Sequence, residues 1–200
     1  FKDNFKMKKG IGLVNEVFEN KHFDRLDGTI GLGHVRYTTH GTKDIENAQP
    51  ITTNYPFGIA MVHNGNVTNF KEMNKALYED YHVMPTSSND LEIILYTFAS
   101  VKATQQKIEG AYAVISVIAN HGLLAFLDPN GIRPLVLGKK DTENGIVYGL
   151  ASESVTFDHL GYEVIRDLKP GEIIYIVEDY HLHSSIGYEK KQAFCVFEFI

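Results

Sequence analysis

Tryptophan is absent from these 200 residues, and cysteine occurs once, at Cys195. A single thiol excludes an internal disulfide framework and fits a reducing compartment. No apolar run approaches the roughly 20 residues that a bilayer-crossing helix needs. The opening FKDNFKMKKG lacks the apolar stretch of a signal peptide. Positive charge is scarce too: 19 Lys and Arg stand against 25 Asp and Glu, for a formal net charge of −6. With no basic stripe to track a phosphate backbone, nucleic-acid binding is not expected. The densest basic run, Lys6 to Lys9, reads as a solvated face. The chain also starts at Phe1 without an initiator methionine, so it is expected to begin part-way through a longer protein. A soluble cytoplasmic protein is the expectation.

What is present suits one domain, or one domain and the start of another. Hydrophobic residues make up 44% of the chain, ample for a core. Gly28 to Tyr37 alternates small or apolar residues with polar ones and predicts a strand through Gly31 and Gly33. Gly58 to Val62 predicts a second, buried strand. Asn69 can cap a helix to about Asp80, with Phe70, Met73, Ala76 and Leu77 on one face. Asn89 with Glu92 three residues later is a capping-box variant that opens another helix, with Leu91, Ile94, Leu95 and Phe98 inward. The second half is β-rich. Ala111 to Ala119 is apolar on both faces, as a strand between two layers should be. Leu123–Leu127 and Leu135–Leu137 flank the turn sequence Asp128-Pro129-Asn130-Gly131. Further strands are predicted at Gly145–Ala151, Ile173–Val177 and His181–Ser185, with a turn at Lys169-Pro170-Gly171. Helices on stacked sheets indicate an α+β layered domain.

His63-Asn64-Gly65-Asn66 directly follows the apolar run at residues 58–62. Asn-Gly offers a side-chain amide and an unhindered N–H at one point, a pair suited to a developing oxyanion. It is equally the strongest short signal for a hairpin turn. Arg36 could grip a carboxylate through two parallel hydrogen bonds or sit in a surface salt bridge. Asp90 near a helix start could reach a substrate ammonium or simply answer the helix dipole. His34, His40 and His63 show no HxH or HExxH spacing, and ordinary hydrogen-bonded histidines are the better reading. Cys195 lies in an apolar, strand-like stretch and reads as a core residue rather than a thiolate.

In order along the chain, GHVRYTTHG, AQP, HNGN and the acidic residue of SSNDLEIIL resemble the class II glutamine amidotransferases, N-terminal-nucleophile enzymes that release ammonia from glutamine. GAYAVISVIANHGLLAFLDPNGIRPLVLG and ASESVTFDHLGYEVIRDLKPGEIIYI are similar to the amidophosphoribosyltransferase branch. That branch uses glutamine and phosphoribosylpyrophosphate (PRPP) to make 5-phosphoribosylamine, the first step of purine synthesis. The resemblance implies a four-layer αββα sandwich, here N-terminally incomplete. Residues 1–190 would form the glutamine domain and 191–200, ending CVFEFI, the entry to a phosphoribosyltransferase domain.

Position by position, Arg36 would bind the glutamine α-carboxylate with Thr39 in support. Asn64 and Gly65 would form the oxyanion hole, and Asp90 would bind the substrate ammonium. The family's nucleophile is an N-terminal cysteine whose α-amino group acts as base, and it would lie upstream of Phe1. The chain by itself is therefore expected to be inactive. Mg²⁺ would belong to the absent PRPP site. Cys195 matches a position that ligates an iron–sulfur cluster in some members, and such a cluster takes four cysteines. A homo-oligomer is implied. Thr38 departs from the proline or alanine that the family pattern implies after the aromatic residue, and the Thr39-His40-Gly41 ending also occurs in the glucosamine-6-phosphate synthase branch. A non-catalytic binding domain of the same fold is the alternative outside enzymology.

Overall fold

The computed structural model describes residues 5–36, 45–100, 104–177 and 179–196. Two short helices come first, α1 (Val14–Val17) and α2 (Asn20–Phe23), then a 3-10 turn at Ile45–Asn47. The order continues β1 (Ile51–Thr53), β2 (Ile59–Val67), α3 (Phe70–Tyr81), α4 (Asp90–Ser100), α5 (Thr104–Lys107), β3 (Gly110–Ile118) and β4 (Gly122–Leu127). It ends with β5 (Val136–Thr142), β6 (Gly145–Ala151), α6 (Val155–Leu160), β7 (Glu163–Asp167), β8 (Glu172–Ile176) and β9 (Leu182–Ile186).

Six strands form one sheet in the order β1-β2-β3-β4-β8-β9, and β6-β5-β7 form a second. Every pairing is antiparallel. Side-chain alternation then decides which residues build which core. On one face of the large sheet, Ile59, Met61, Val67, Tyr112, Val114 and Phe126 meet Leu77 of α3 and Leu91, Ile94 and Leu95 of α4. On the other, Ala113, Ala125, Leu127 and Ile174 meet Leu135 and Leu137 of the small-sheet region. The fourth layer is α6. Its Phe157 ring lies over the cross-strand pair Gly138–Gly149, where a Cβ would come within 3.0 Å and 2.9 Å of the ring. The four layers are therefore helices, sheet, sheet, helix, the αββα arrangement.

α4 is buried nearly all round, from Leu91 through Leu95 and at Thr97, because it is wedged between α3 and β1–β2. The capping-box reading of its start fails on the partner. Asn89 Oδ1 does accept the Leu91 N–H at 3.0 Å, but Glu92 turns away from Asn89. Its buried carboxylate collects the N–H and hydroxyl groups of Thr86 and Ser87, at 2.6–3.0 Å. Asn69 also does not cap α3. Its amide instead ties down the loop before β3, donating to the Lys107 carbonyl and accepting from the Glu109 N–H. In both cases a tertiary loop offered better-placed partners than the helix's own first turn.

Asp128 organises the turn after β4. Its fully buried carboxylate accepts N–H groups from Tyr112, Asn130 and Ile132. Gly131 occupies the left-handed region there, at φ +61. The same turn holds the end of the described chain: Pro129 and Asn130 carbonyls accept the Lys190 and Ala193 N–H groups, and Asn130 Nδ2 donates to the Lys191 carbonyl. This run is not the strand that its apolar composition predicts. Residues 191–195 are irregular, Cys195 is only partly buried, and Phe194 and Val196 are each 65% exposed. The turn takes the Lys190 and Ala193 N–H groups and the Lys191 carbonyl, and residues 191–196 join no sheet; the rest of the predicted stretch lies outside the described residues.

Gly28 to Arg36 also departs from expectation, running as irregular chain instead of a strand. Gly31 and Gly33 have open space where a Cβ would be, and glycine inside a strand weakens it by leaving no side chain to pack at that position. Tyr37 of the predicted strand lies outside the described residues.

Candidate functional site

The predicted site gathers on the free edge of β2. Asn64 and Gly65 are not in a hairpin turn: β2 continues past them to Val67, with Asn64 opposite Ala113 and Gly65 opposite Tyr112 of β3. The register fixes where their backbone groups point. Tyr112 spends both its groups on the far side, donating to the Asp128 carboxylate and accepting the Asp128 N–H. Gly65 is therefore a non-hydrogen-bonded partner, and its N–H aims away from β3. β1 covers that edge only as far as Met61, opposite Ile51.

Beyond β1, side chains take over the edge in alternation. The His63 N–H donates to Gln49 Oε1 at 2.7 Å. The Val67 N–H donates to Asp90 Oδ2 at 2.9 Å. Between them, the Gly65 N–H has no acceptor among the described residues. The Asn64 side chain, one residue earlier, is exposed and equally uncommitted. An open N–H and an open side-chain amide thus stand side by side, the pair that an oxyanion requires.

Glycine at position 65 also has a packing reason. A Cβ there would overlap the Ala111 carbonyl oxygen and come within 2.7 Å of Tyr112 Cα. The obstruction is strand backbone, which cannot swing aside as a side chain can. Gly65→Ala is expected to lower unfolding free energy by about 2 kcal/mol, the usual cost of overpacking. Urea unfolding checks this, and an unshifted midpoint would show that β3 yields freely.

Asp90 begins α4 and faces the same edge. Besides accepting from Val67, it places Oδ1 3.3 Å from His63 Nε2, without the alignment of a full hydrogen bond. Burial pushes its carboxyl upward, but the His63 contact and the Val67 N–H outweigh that and hold it below the ordinary carboxylate range. Asp90 is an anion at neutral pH. His34 reaches β2 as well, with Nε2 donating to the His63 carbonyl at 3.2 Å. Burial, reinforced by His63, lowers the His34 pKa, leaving a neutral donor. Arg36, two residues on, is exposed and has no partner among the described residues. Thr39 and His40 lie outside the described residues.

The sequence expectations thus divide. Asn64, Gly65 and Asp90 share one edge, and His34 brings the Arg36 segment onto it. His34 and His63 point at carbonyl, amide and carboxylate groups, and no cluster of three metal-ligating side chains exists among the described residues. Cys195 is the sole cysteine of the chain, so these 200 residues cannot supply the four thiolates of an iron–sulfur cluster. Gln49, in the AQP segment that precedes HNGN, is not among the site residues that the sequence suggests. The signal was a buried amide next to an apolar strand, which composition alone cannot assign. A depression of about 710 Å³ lined by Lys6, His22 and Arg25, among others, lies in the N-terminal segment and includes none of these residues.

Comparison with known proteins bears on the family and the fold. A family model described as a glutamine amidotransferase domain matches residues 34–158. The amidophosphoribosyltransferase of Escherichia coli is 43% identical over 98% of this chain, and that of Pseudomonas aeruginosa 40% identical over 99%. The chain spans 43% of the length of each of these relatives. The glutamine PRPP amidotransferase of B. subtilis, solved with ADP and GMP, superposes with a TM-score of 0.81 at 28% identity. That match covers 94% of this chain and 42% of the other. A structure described as the allosteric regulatory enzyme of purine biosynthesis gives 0.83 at 29% identity, with the same coverage.

Proposed function

This chain belongs to the glutamine amidotransferase domain family, and we propose that the β2 edge is its glutamine site. The observation that carries the reading is the register of β2 on β3. It leaves the Gly65 N–H open beside the Asn64 amide, with the Asp90 anion one strand-step further along. Arg36, supported by Thr39, takes the substrate α-carboxylate. Asp90 takes the α-ammonium. The two grips select a free amino acid over a glutamine residue within a peptide, because either charge left unpaired is costly.

In the intact protein an N-terminal cysteine gives its thiol proton to its own α-amino group, and the resulting thiolate attacks the carboxamide carbon. The carbonyl oxygen becomes the oxyanion at Asn64 and Gly65. Collapse, with the α-ammonium returning its proton to the amide nitrogen, expels ammonia and leaves a thioester, which water hydrolyses to free glutamate and the cysteine thiol. The ammonia passes to PRPP in a second domain that residues 191–200 lead into, residues 1–190 being the glutamine domain. The product is 5-phosphoribosylamine, with Mg²⁺ at that second site. The identity to amidophosphoribosyltransferases over nearly the whole chain supports this assignment. Among the described residues no helix is long and apolar enough to cross a membrane; the resemblance to the family implies a cytoplasmic homo-oligomer.

Steady-state kinetics of the intact enzyme test the grips. Asp90→Asn and Arg36→Ala are each expected to raise KM for glutamine roughly 10- to 100-fold, the scale of one charged hydrogen bond. Ammonia-dependent turnover should hold, because ammonia carries no carboxylate to grip. An unchanged KM for glutamine in either variant would remove that residue from the site.

A further inference from the structure

We propose that Gln49 and His63 form a positioning relay that aims the Asp90 carboxylate while keeping it free of a competing protein cation. The inference rests on the glutamine-site reading of Asp90. It assigns work to two buried residues which that reading leaves idle.

The atoms determine the protonation pattern. Gln49 is buried and its Oε1 accepts the His63 backbone N–H at 2.7 Å, which fixes the orientation of the amide. Its Nε2 must then be the group 3.0 Å from His63 Nδ1. An amide NH₂ can only donate, so Nδ1 accepts and carries no proton. The remaining ring proton sits on Nε2, the atom 3.3 Å from Asp90 Oδ1. Protonating Nδ1 would set two donors against each other in a site that is 5% exposed. The polar groups meeting His63 are Gln49, Asp90 and, at the backbone carbonyl, His34. None of them can accept a proton from Nδ1.

The consequence concerns how Asp90 is held. Val67 N–H secures Oδ2, and a neutral imidazole N–H faces Oδ1. Both are dipolar partners. An imidazolium in the same place would make a buried ion pair and compete directly with a substrate ammonium. The relay therefore orients the anion without neutralising it.

Two measurements on the intact enzyme test this. Selective ¹⁵N-histidine NMR of the wild type at neutral pH should show His63 with an unprotonated Nδ1 and a protonated Nε2. A protonated Nδ1, alone or in an imidazolium, would overturn the proposal without any variant having to fold. Gln49→Glu keeps the acceptor for the His63 N–H but converts the donor opposite Nδ1 into a carboxylate. It should bring His63 to the imidazolium and raise KM for glutamine about tenfold, the scale of one charged hydrogen bond, with kcat and ammonia-dependent turnover little changed. An unchanged KM beside a visible imidazolium would sink the relay. Asp90→Asn separates the two levels: if it leaves KM unaltered, the glutamine-site reading fails; if it raises KM while Gln49→Glu does not, only the relay fails.

Discussion

Asn64→Ala in the intact enzyme is expected to cut glutamine-dependent turnover about 100- to 1,000-fold, the range seen when one oxyanion donor is removed. The structure makes this substitution a clean one. Asn64 is held in β2 by its backbone ladder to Ala113, and its side chain is exposed and makes no hydrogen bond among the described residues. Truncation should therefore leave the fold alone. The neighbouring Gly65 offers no comparable test, since any side chain there collides with β3 backbone. The amide is needed only once charge has moved onto the substrate oxygen, so kcat should fall far more than KM rises. Ammonia-dependent turnover needs no oxyanion and should largely survive. Asn64→Gly provides a second truncation with the same expected split. Equal loss of both activities would place Asn64 in the scaffold and leave the open Gly65 N–H without a partner.

The sequence exposed the fold wherever a local pattern had no competitor. The periodicity from Asn69 to Asp80 foretold α3 within a residue at each end, and the two-sided apolar run Ala111–Ala119 marked the central strand β3. Asp128-Pro129-Asn130-Gly131 is a turn, as its residues demand. Expectation failed where a distant partner decided the outcome. Asn64-Gly65 carries the strongest hairpin signal in the chain, yet nine consecutive pairings with β3 keep it in a strand. Glu92 and Asn69 stand where helix caps should, and both are drawn off to loops up to 40 residues away in sequence. The short elements β1, α6 and β7 had no counterpart among the sequence expectations, although β8 and β9, five residues each like β7, did. Of the residues that the sequence put forward for the candidate site, Asn64, Gly65 and Asp90 meet at one strand edge. Gln49 was not legible in the sequence, because its role exists only through a contact with the backbone of a residue 14 positions away.

The largest stability effect lies outside the site, at the junction of the two sheets. Glu172 is 1% exposed and its carboxylate meets the Arg166 guanidinium at two points, 2.8 Å and 2.6 Å. The Lys169 N–H at 2.7 Å and the Ser184 hydroxyl at 2.5 Å complete its shell. Burial alone would raise the Glu172 pKa. Arg166 and these donors overcome it and bring the carboxyl down to about 2. A depressed pKa gives stability that is fully present above the unfolded value, near pH 4.5, and lost as pH falls toward 2. By linkage this amounts to about 3 kcal/mol, and solvent screening of the half-buried Arg166 trims it to about 2. Arg166→Leu strands a buried anion, an event that costs about 3–5 kcal/mol against a typical total of about 5–15 kcal/mol. It should also reverse the pH response. Without its cation, Glu172 is left with burial as the dominant influence and its pKa rises, so acidification from pH 7 to pH 5 should stabilise the variant. Adding Glu172→Gln to Arg166→Leu should recover part of the loss and abolish that response. Urea unfolding at both pH values reads all three results. A variant whose stability stays flat from pH 7 to pH 5, as the Glu172 contribution does in the wild type, would mean that Ser184 and the Lys169 N–H, rather than Arg166, hold the charge in place.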